Sequence, residues 1–199
     1  MHNPLSRRRL LAAASALALG AGGFALSTGN VAQAADHEVM HAEAPAAVAV
    51  LTPTAGNEAS GTIRFTPMDG GLQVEGRIEG LTPGSKHGFH VHEYGDVSAE
   101  DGTACGGHFN PEGHDHALPD GEGPRHAGDL GNVTADDAGV AEVDVYAEGL
   151  CLGGSGPGHD VLGRGLIVHA DEDDGGQPTG NAGARIAQAV IGVAAPAGG

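Results

Sequence analysis

His90-Val91-His92 lies in the run Gly88-Phe89-His90-Val91-His92-Glu93, which reads as an extended strand. Side chains alternate faces along a strand, so His90 and His92 project together while Phe89 and Val91 point the other way, into a core. Two imidazoles on one rigid face make half a metal site, but a surface strand with two histidines looks the same. A second group changes the balance. His108, His116, His126 and Asp129 supply three imidazoles and a carboxylate from one stretch of chain, the donor set of a closed four-coordinate zinc site. His114 stands two residues before His116 and offers the same donor, which leaves that ligand open between the two. Zinc in such a site would pin a segment with little apolar content of its own and couple metal binding to its folding. His169 ends the apolar run Leu166-Ile167-Val168 and precedes Asp171-Glu172-Asp173-Asp174. A metal-bound imidazole commonly donates its second N–H to a carboxylate, and this run can supply one, although an acidic run by itself is more often a solvated turn.

These residues need a scaffold. From residue 46 onward, short apolar or alternating runs at 48–51, 61–65, 72–78, 88–92, 140–146, 165–169 and 187–193 are divided by Gly, Pro, Asp and Asn. Such text reads as strands and turns. There is no heptad and no long 3.6-residue period, so the spacing predicts an all-β antiparallel sandwich or barrel rather than a helical fold. Two stretches do not read as strands: 93–128, crowded with His, Gly and Pro, and 170–183, acidic and Gly-rich. Unstructured loops of that length in a compact domain are functional or disordered, and the histidines decide for function.

The first 34 residues read as an export signal. Arg7, Arg8 and Arg9 precede the apolar run 10–19, and Ala32-Gln33-Ala34 supplies a small-residue cleavage site. The apolar run is about half of what a membrane span needs. Ser6-Arg7-Arg8-Arg9-Leu10-Leu11 also fits a twin-arginine signal. Residues 35–44 read as a flexible lead, in which His37 and His41 are more simply a solvated tail than copper scavengers. The remainder, 45–199, has the length of one domain. Removing the signal takes three of nine basic residues and none of 26 acidic ones, moving the formal charge from −17 to −20. So acidic a surface argues against nucleic acid and anionic membranes as partners. Twelve histidines in 199 residues, with no Trp, is a composition skewed toward metal ligands. Export places the chain in a periplasmic or extracellular, oxidising setting, where the two cysteines, Cys105 and Cys151, could pair.

In order along the chain, Gly88-Phe89-His90-Val91-His92-Glu93-Tyr94-Gly95-Asp96, Gly107-His108-Phe109-Asn110-Pro111, His126-Ala127-Gly128-Asp129-Leu130-Gly131-Asn132-Val133 and Gly180-Asn181-Ala182-Gly183-Ala184-Arg185 resemble the copper/zinc superoxide dismutases. The resemblance spans 48–193 and implies an eight-stranded antiparallel Greek-key sandwich or barrel with two long functional loops. It implies copper on His90, His92, His108 and His169, and zinc on His108, His116, His126 and Asp129, with His108 shared. Asp173 matches the aspartate that links a copper ligand to a zinc ligand, with Asp174 as fallback. His87 matches a histidine that ties loops together without binding metal. Arg185 matches the arginine beside the copper, and Thr179 and Gly183 shape the channel mouth. The implied reaction is disproportionation of superoxide to O2 and hydrogen peroxide by a redox-cycling copper bridged through His108 to a structural zinc. Imidazole nitrogens suit copper in both of its oxidation states. The alternative is a dismutase-like domain that stores or delivers copper without turnover; the presence of His108 and Arg185 argues against it.

The sequence departs from the family in three ways. Gln188 stands where the family has its C-terminal disulfide cysteine, so a relocated Cys105–Cys151 bridge is expected, the two loops lying on the same side of the family's sandwich. The stretch 170–184 is short and holds four acids with no Lys or Arg before Arg185, which predicts weak steering of an anionic substrate. Val190-Ile191-Gly192-Val193 resembles the family's dimerising end, which favours a homodimer over the alternative, a monomer.

Overall fold

Alternation of apolar residues sets the strands. In β1, Ala47–Pro53, the side chains of Ala47, Ala49 and Leu51 are buried while Val50, Thr52 and Pro53 are exposed. The next two strands, β2 (Ser60–Met68) and β3 (Gly71–Glu79), bury Ile63 and Phe65, and Leu72, Val74 and Ile78, against the same core. The architecture comes from a computed structural model, which describes residues 46–154 and 159–196. The export signal expected at 1–34 and the lead expected at 35–44 lie outside the described residues.

The remaining strands are β4 (Lys86–His92), β5 (Asp129–Thr134), β6 (Ala141–Glu148), β7 (Gly165–His169), β8 (Arg185–Val190) and β9 (Gly192–Val193). All pair antiparallel in the order β5-β4-β7-β8-β1-β2-β3-β6, and the two ends of that path, β5 and β6, lie against each other to make a nearly closed barrel. The expected eight-stranded all-β fold is therefore present. The two-residue β9 adds to it, continuing β8 past Ile191 to pair with the start of β1. β1 joins the two halves of the barrel: its first residues pair with β2 and β9, and Thr52 and Pro53 pair with Gln188 and Ala187 of β8.

β4 is buried along both faces from His87 to His92, as β7 is from Gly165 to His169. Phe89 and Val91 enter the hydrophobic core, and fully burying one such side chain stabilises the fold by roughly 1.5–3 kcal/mol. His90 and His92 occupy the opposite face, covered by the two long loops. The β4–β5 loop is stitched to the strand by backbone bonds, Val91 N–H to Gly128 O at 2.9 Å and Phe109 N–H to Val91 O at 2.8 Å. Phe109 then packs into the core beneath the Arg164 guanidinium, which lies 3.6 Å from its ring centre. Register shifts at Gly88–His90 and at Val168–His169 interrupt the ladders beside the histidines, where bulges re-aim side chains.

The expected Cys105–Cys151 disulfide is not formed. Cys105 is buried, with its thiol donating to the Asp96 carbonyl at 3.3 Å and lying where a side chain on Gly165 would sit. Cys151 pairs in a backbone bridge with Asp160 and lines a separate cavity with Met68 and Leu72. Burial raises the Cys105 thiol pKa and keeps it protonated. The two sulfurs thus serve different surroundings, a separation that loop membership in the sequence could not reveal.

Candidate metal centre

Strand ends converge on one place. β4 supplies His90 and His92, the end of β7 supplies His169, and the start of β5 supplies Asp129. The long β4–β5 loop brings His108, His116 and His126. His108 is held at the strand by a bridge to His92. Two groups of buried ligand atoms result, each with its atoms within 4.8 Å of one another: His90, His92, His108 and His169, and His108, His116, His126 and Asp129. His108 belongs to both. Its ring centre is 4.0 Å from that of His90 on one side and 5.3 Å from that of His126 on the other.

The hydrogen bonds fix which nitrogen of each ring is left over. His92 Nδ1–H donates to Gly106 O at 3.0 Å, and His169 Nδ1–H donates to Gly183 O at 3.2 Å. With those protons placed, the two Nε2 atoms present lone pairs to each other across 3.3 Å. His90 and His116 each donate Nε2–H to Asp173, to Oδ2 at 2.8 Å and to Oδ1 at 2.9 Å, which leaves their Nδ1 atoms as acceptors. The buried atoms without a hydrogen-bond partner include His90 Nδ1, His108 Nε2 and His116 Nδ1. His116 Nδ1 lies 2.9 Å from Asp129 Oδ2, and His108 Nδ1 lies 2.8 Å from Asp129 Oδ1. With Nε2 of His108 as the acceptor, its Nδ1–H donates to Asp129 Oδ1. The lone pairs of His116 Nδ1 and Asp129 Oδ2, like those of His92 and His169, instead face one another. Such buried pairs are repulsive and desolvated, and a cation in each group satisfies them. The donor chemistry therefore fits one metal ion in each group.

Electrostatics agree. Burial lowers the pKa of His90 to about 4 against the opposing pull of Asp173, and that of His169 to about 3. Burial also depresses His92 well below the ordinary histidine value, and His126 less so. These rings are neutral near pH 7, the state a ligand needs. Burial opposes ionisation of Asp173, but hydrogen bonds from His90 and His116 outweigh it and hold the carboxyl ionised. Asp129 is likewise lowered, the contacts with His108, His116 and His126 overcoming desolvation.

Asp173 is the residue that joins the groups, and Asp174 instead accepts from Asn181 and Gly176. His114 is turned away from the second group, with Nδ1 on Arg125 O at 3.2 Å, so His116 supplies the ring nitrogen there. His87 Nδ1–H donates to His169 O at 2.8 Å, tying β4 to the end of β7. Arg185 opens β8, half-buried, and lines a cleft of about 310 Å³ with Gly183, Asp101 and Thr54. Its guanidinium donates to Gly102 O and Gly106 O, and burial lowers its pKa without discharging it.

Several contributors were not visible in the letters. Asn132 accepts Asp173 N–H at 2.8 Å and donates to Asp173 O at 2.9 Å, fixing the loop that carries the carboxylate. Gln177 brackets His116 through both its backbone groups. Gly180 adopts φ +77°, and a Cβ there would fall 2.0 Å from Asp173 Oδ1, so only glycine leaves room for the carboxylate. Nothing in the spacing of Gln177 or Gly180 marks them, although Gly180 and Asn132 fall inside motifs noted above.

Comparison with known proteins places this architecture. The family model for copper/zinc superoxide dismutase (SODC) matches residues 59–191. A protein named "Superoxide dismutase [Cu-Zn] 2" from Mesembryanthemum crystallinum is 46% identical over 158 residues, covering 75% of this chain and 96% of that protein. "Superoxide dismutase [Cu-Zn]" of Paramecium bursaria Chlorella virus 1 is 45% identical over 141 residues, covering 67% of this chain and 73% of that protein. The chain belongs to the copper/zinc superoxide dismutase family. It is an oxidoreductase that disproportionates superoxide and uses copper and zinc.

Proposed function

We propose that His90, His92, His108 and His169 hold the copper, that His108, His116, His126 and Asp129 hold the zinc, and that Arg185 and His108 carry the catalytic roles. The supporting observation is the dual membership of His108, the one residue with a ring nitrogen in each group. Copper, when bound, supplies the one-electron chemistry by which two superoxide anions and two protons become O2 and hydrogen peroxide. The protein's part is positional and electrostatic. Asp173 clamps His90 and His116 through their outer N–H groups, so the two ligand sets hold one geometry. Arg185 attracts a small anion to its cleft and orients it by charge and hydrogen bonding. His108 Nε2 is a buried acceptor without a protein partner, and it can carry a proton toward the anion's side of the site while Nδ1 stays anchored beside Asp129.

The same reading includes an exported protein with a cleavable signal at 1–34, acting in a periplasmic or extracellular compartment. It also includes a homodimer, supported by the exposed side chains of Val190 and Val193 and of Tyr94, whose neighbour Gly95 lies against Val190. A partner of the same chain would cover that apolar surface.

Metal analysis of the purified protein beside a superoxide-decay assay tests the assignment. One copper and one zinc per chain are expected. His108→Ala should lose zinc retention and turnover together. Copper bound without superoxide decay would favour a storage role, and full activity in His108→Ala would overturn the shared-ligand reading.

A further inference from the structure

Gln188 is a polar side chain buried inside a strand. It lies inside β8, 5% exposed, between Thr52 of β1 and Ile167 of β7. Its Oε1 is buried with no hydrogen-bond partner, a state that destabilises the fold relative to an aliphatic side chain of similar size. What the side chain provides is its donor. Nε2–H reaches Ala99 O at 3.1 Å, spanning 89 residues to the loop between β4 and β5.

That carbonyl is a junction. Ala99 O also accepts Gly102 N–H at 3.1 Å, closing the turn 99–102. Gly102 O in turn accepts from Arg185 Nη1, and Gly106 O accepts from both Arg185 Nη2 and His92 Nδ1. The arginine lies flat on the turn: Gly102 has φ +75°, and a Cβ there would sit 3.2 Å from Arg185 Cδ. Strand β8 thus grips the same loop at two points three residues apart, and no disulfide joins the loop to it.

We propose that Gln188 is a positioning residue for Arg185, acting through the 99–102 turn whose carbonyl aims the guanidinium. The inference rests on the role proposed above for Arg185. The loop is held by hydrogen bonds in place of a covalent link, so thiol reductants leave the arginine's aim unchanged.

A double-mutant cycle on the metal-loaded protein tests this. Gln188→Met keeps the length and removes the donor; Arg185→Lys removes the fork that reads the two carbonyls; both are combined. Superoxide kcat/KM and the affinity for azide, a small anion probe, are measured in all four proteins. In Gln188→Met both should fall about five-fold, the worth of one hydrogen bond, with the copper visible spectrum unchanged and Gly102 amide exchange faster. In the Arg185→Lys background the same substitution should do nothing further. Losses that multiply in full, or a Gln188→Met protein indistinguishable from wild type, would overturn the proposal. Gln188→Leu, which is uncharged and likewise removes the donor, gives the same reading if the methionine variant fails to fold. If Arg185→Lys itself changes neither quantity, the role assigned to Arg185 is what fails.

Discussion

His92 and His169 confront each other nitrogen to nitrogen, their Nε2 atoms 3.3 Å apart with both rings' protons committed to backbone carbonyls on the far side. Without a cation this arrangement opposes itself. Chelation of the metals should therefore cost stability as well as activity. Saturating metal at about a thousand-fold above its Kd stabilises a fold by roughly 4 kcal/mol, which for a domain of this size is about 10 °C in Tm. Calorimetry before and after dialysis against a chelator checks this; equal melting temperatures would remove the physical reading of the facing lone pairs.

Asp173→Asn should weaken both ligand sets at once. The amide has one acceptor oxygen, so it cannot receive both His90 and His116, and one ring loses the partner that fixes its tautomer. Metal affinity should drop about 10- to 100-fold, read by competitive titration with a chromogenic chelator. Loss confined to one of the two metals would show that the carboxylate braces a single site.

Acid should unfold the metal-free protein in a defined window. His90 and His169 titrate in the fold at about 4 and about 3, below the ordinary 6.5. The unfolded chain therefore takes up protons first as pH falls, and stability is full above 6.5 and lost progressively down to the folded values. Tm of the metal-free protein should fall between about pH 6.5 and 4, before most carboxylates titrate. A Tm that holds constant to pH 4 would contradict the burial of neutral rings.

Salt should have little effect on turnover. The loop before Arg185 carries Asp171, Glu172, Asp173 and Asp174 with no Lys or Arg of its own, its Glu172 is paired with Lys86, and Asp101 shares the arginine's cleft, so that loop adds no cationic funnel to Arg185. The rate constant for superoxide should change less than about two-fold between roughly 0.01 and 0.15 M ionic strength. Pulse radiolysis across that range measures it, and a steep decline would mean that steering charges lie elsewhere on the surface.

The parts of this protein legible in its sequence are those governed by local period. Alternation placed His90 and His92 opposite Phe89 and Val91, and short runs between Gly and Asp gave the strand inventory. The donor set at 108–129 was readable as chemistry but left His114 and His116 tied, because only the fold turns one ring inward and the other toward Arg125. Asp173 came from family resemblance alone. Gln177, the carbonyls of Gly102 and Gly106, and the partner of Gln188 are not legible in the letters, because those partners are distant in the chain and backbone acceptors have no letter. The cysteine pairing failed for the same reason: being in neighbouring loops says nothing of where two side chains point.

β4 uses one backbone for two jobs, with Phe89 and Val91 wedged into the barrel's interior and His90 and His92 on the reverse side. Any slackening of the interior tilts the same peptide planes that aim the imidazoles. A mutational screen scored only by copper content would therefore return positions 89 and 91 beside the true ligands, and thermal shift assays alone would not tell the two kinds apart.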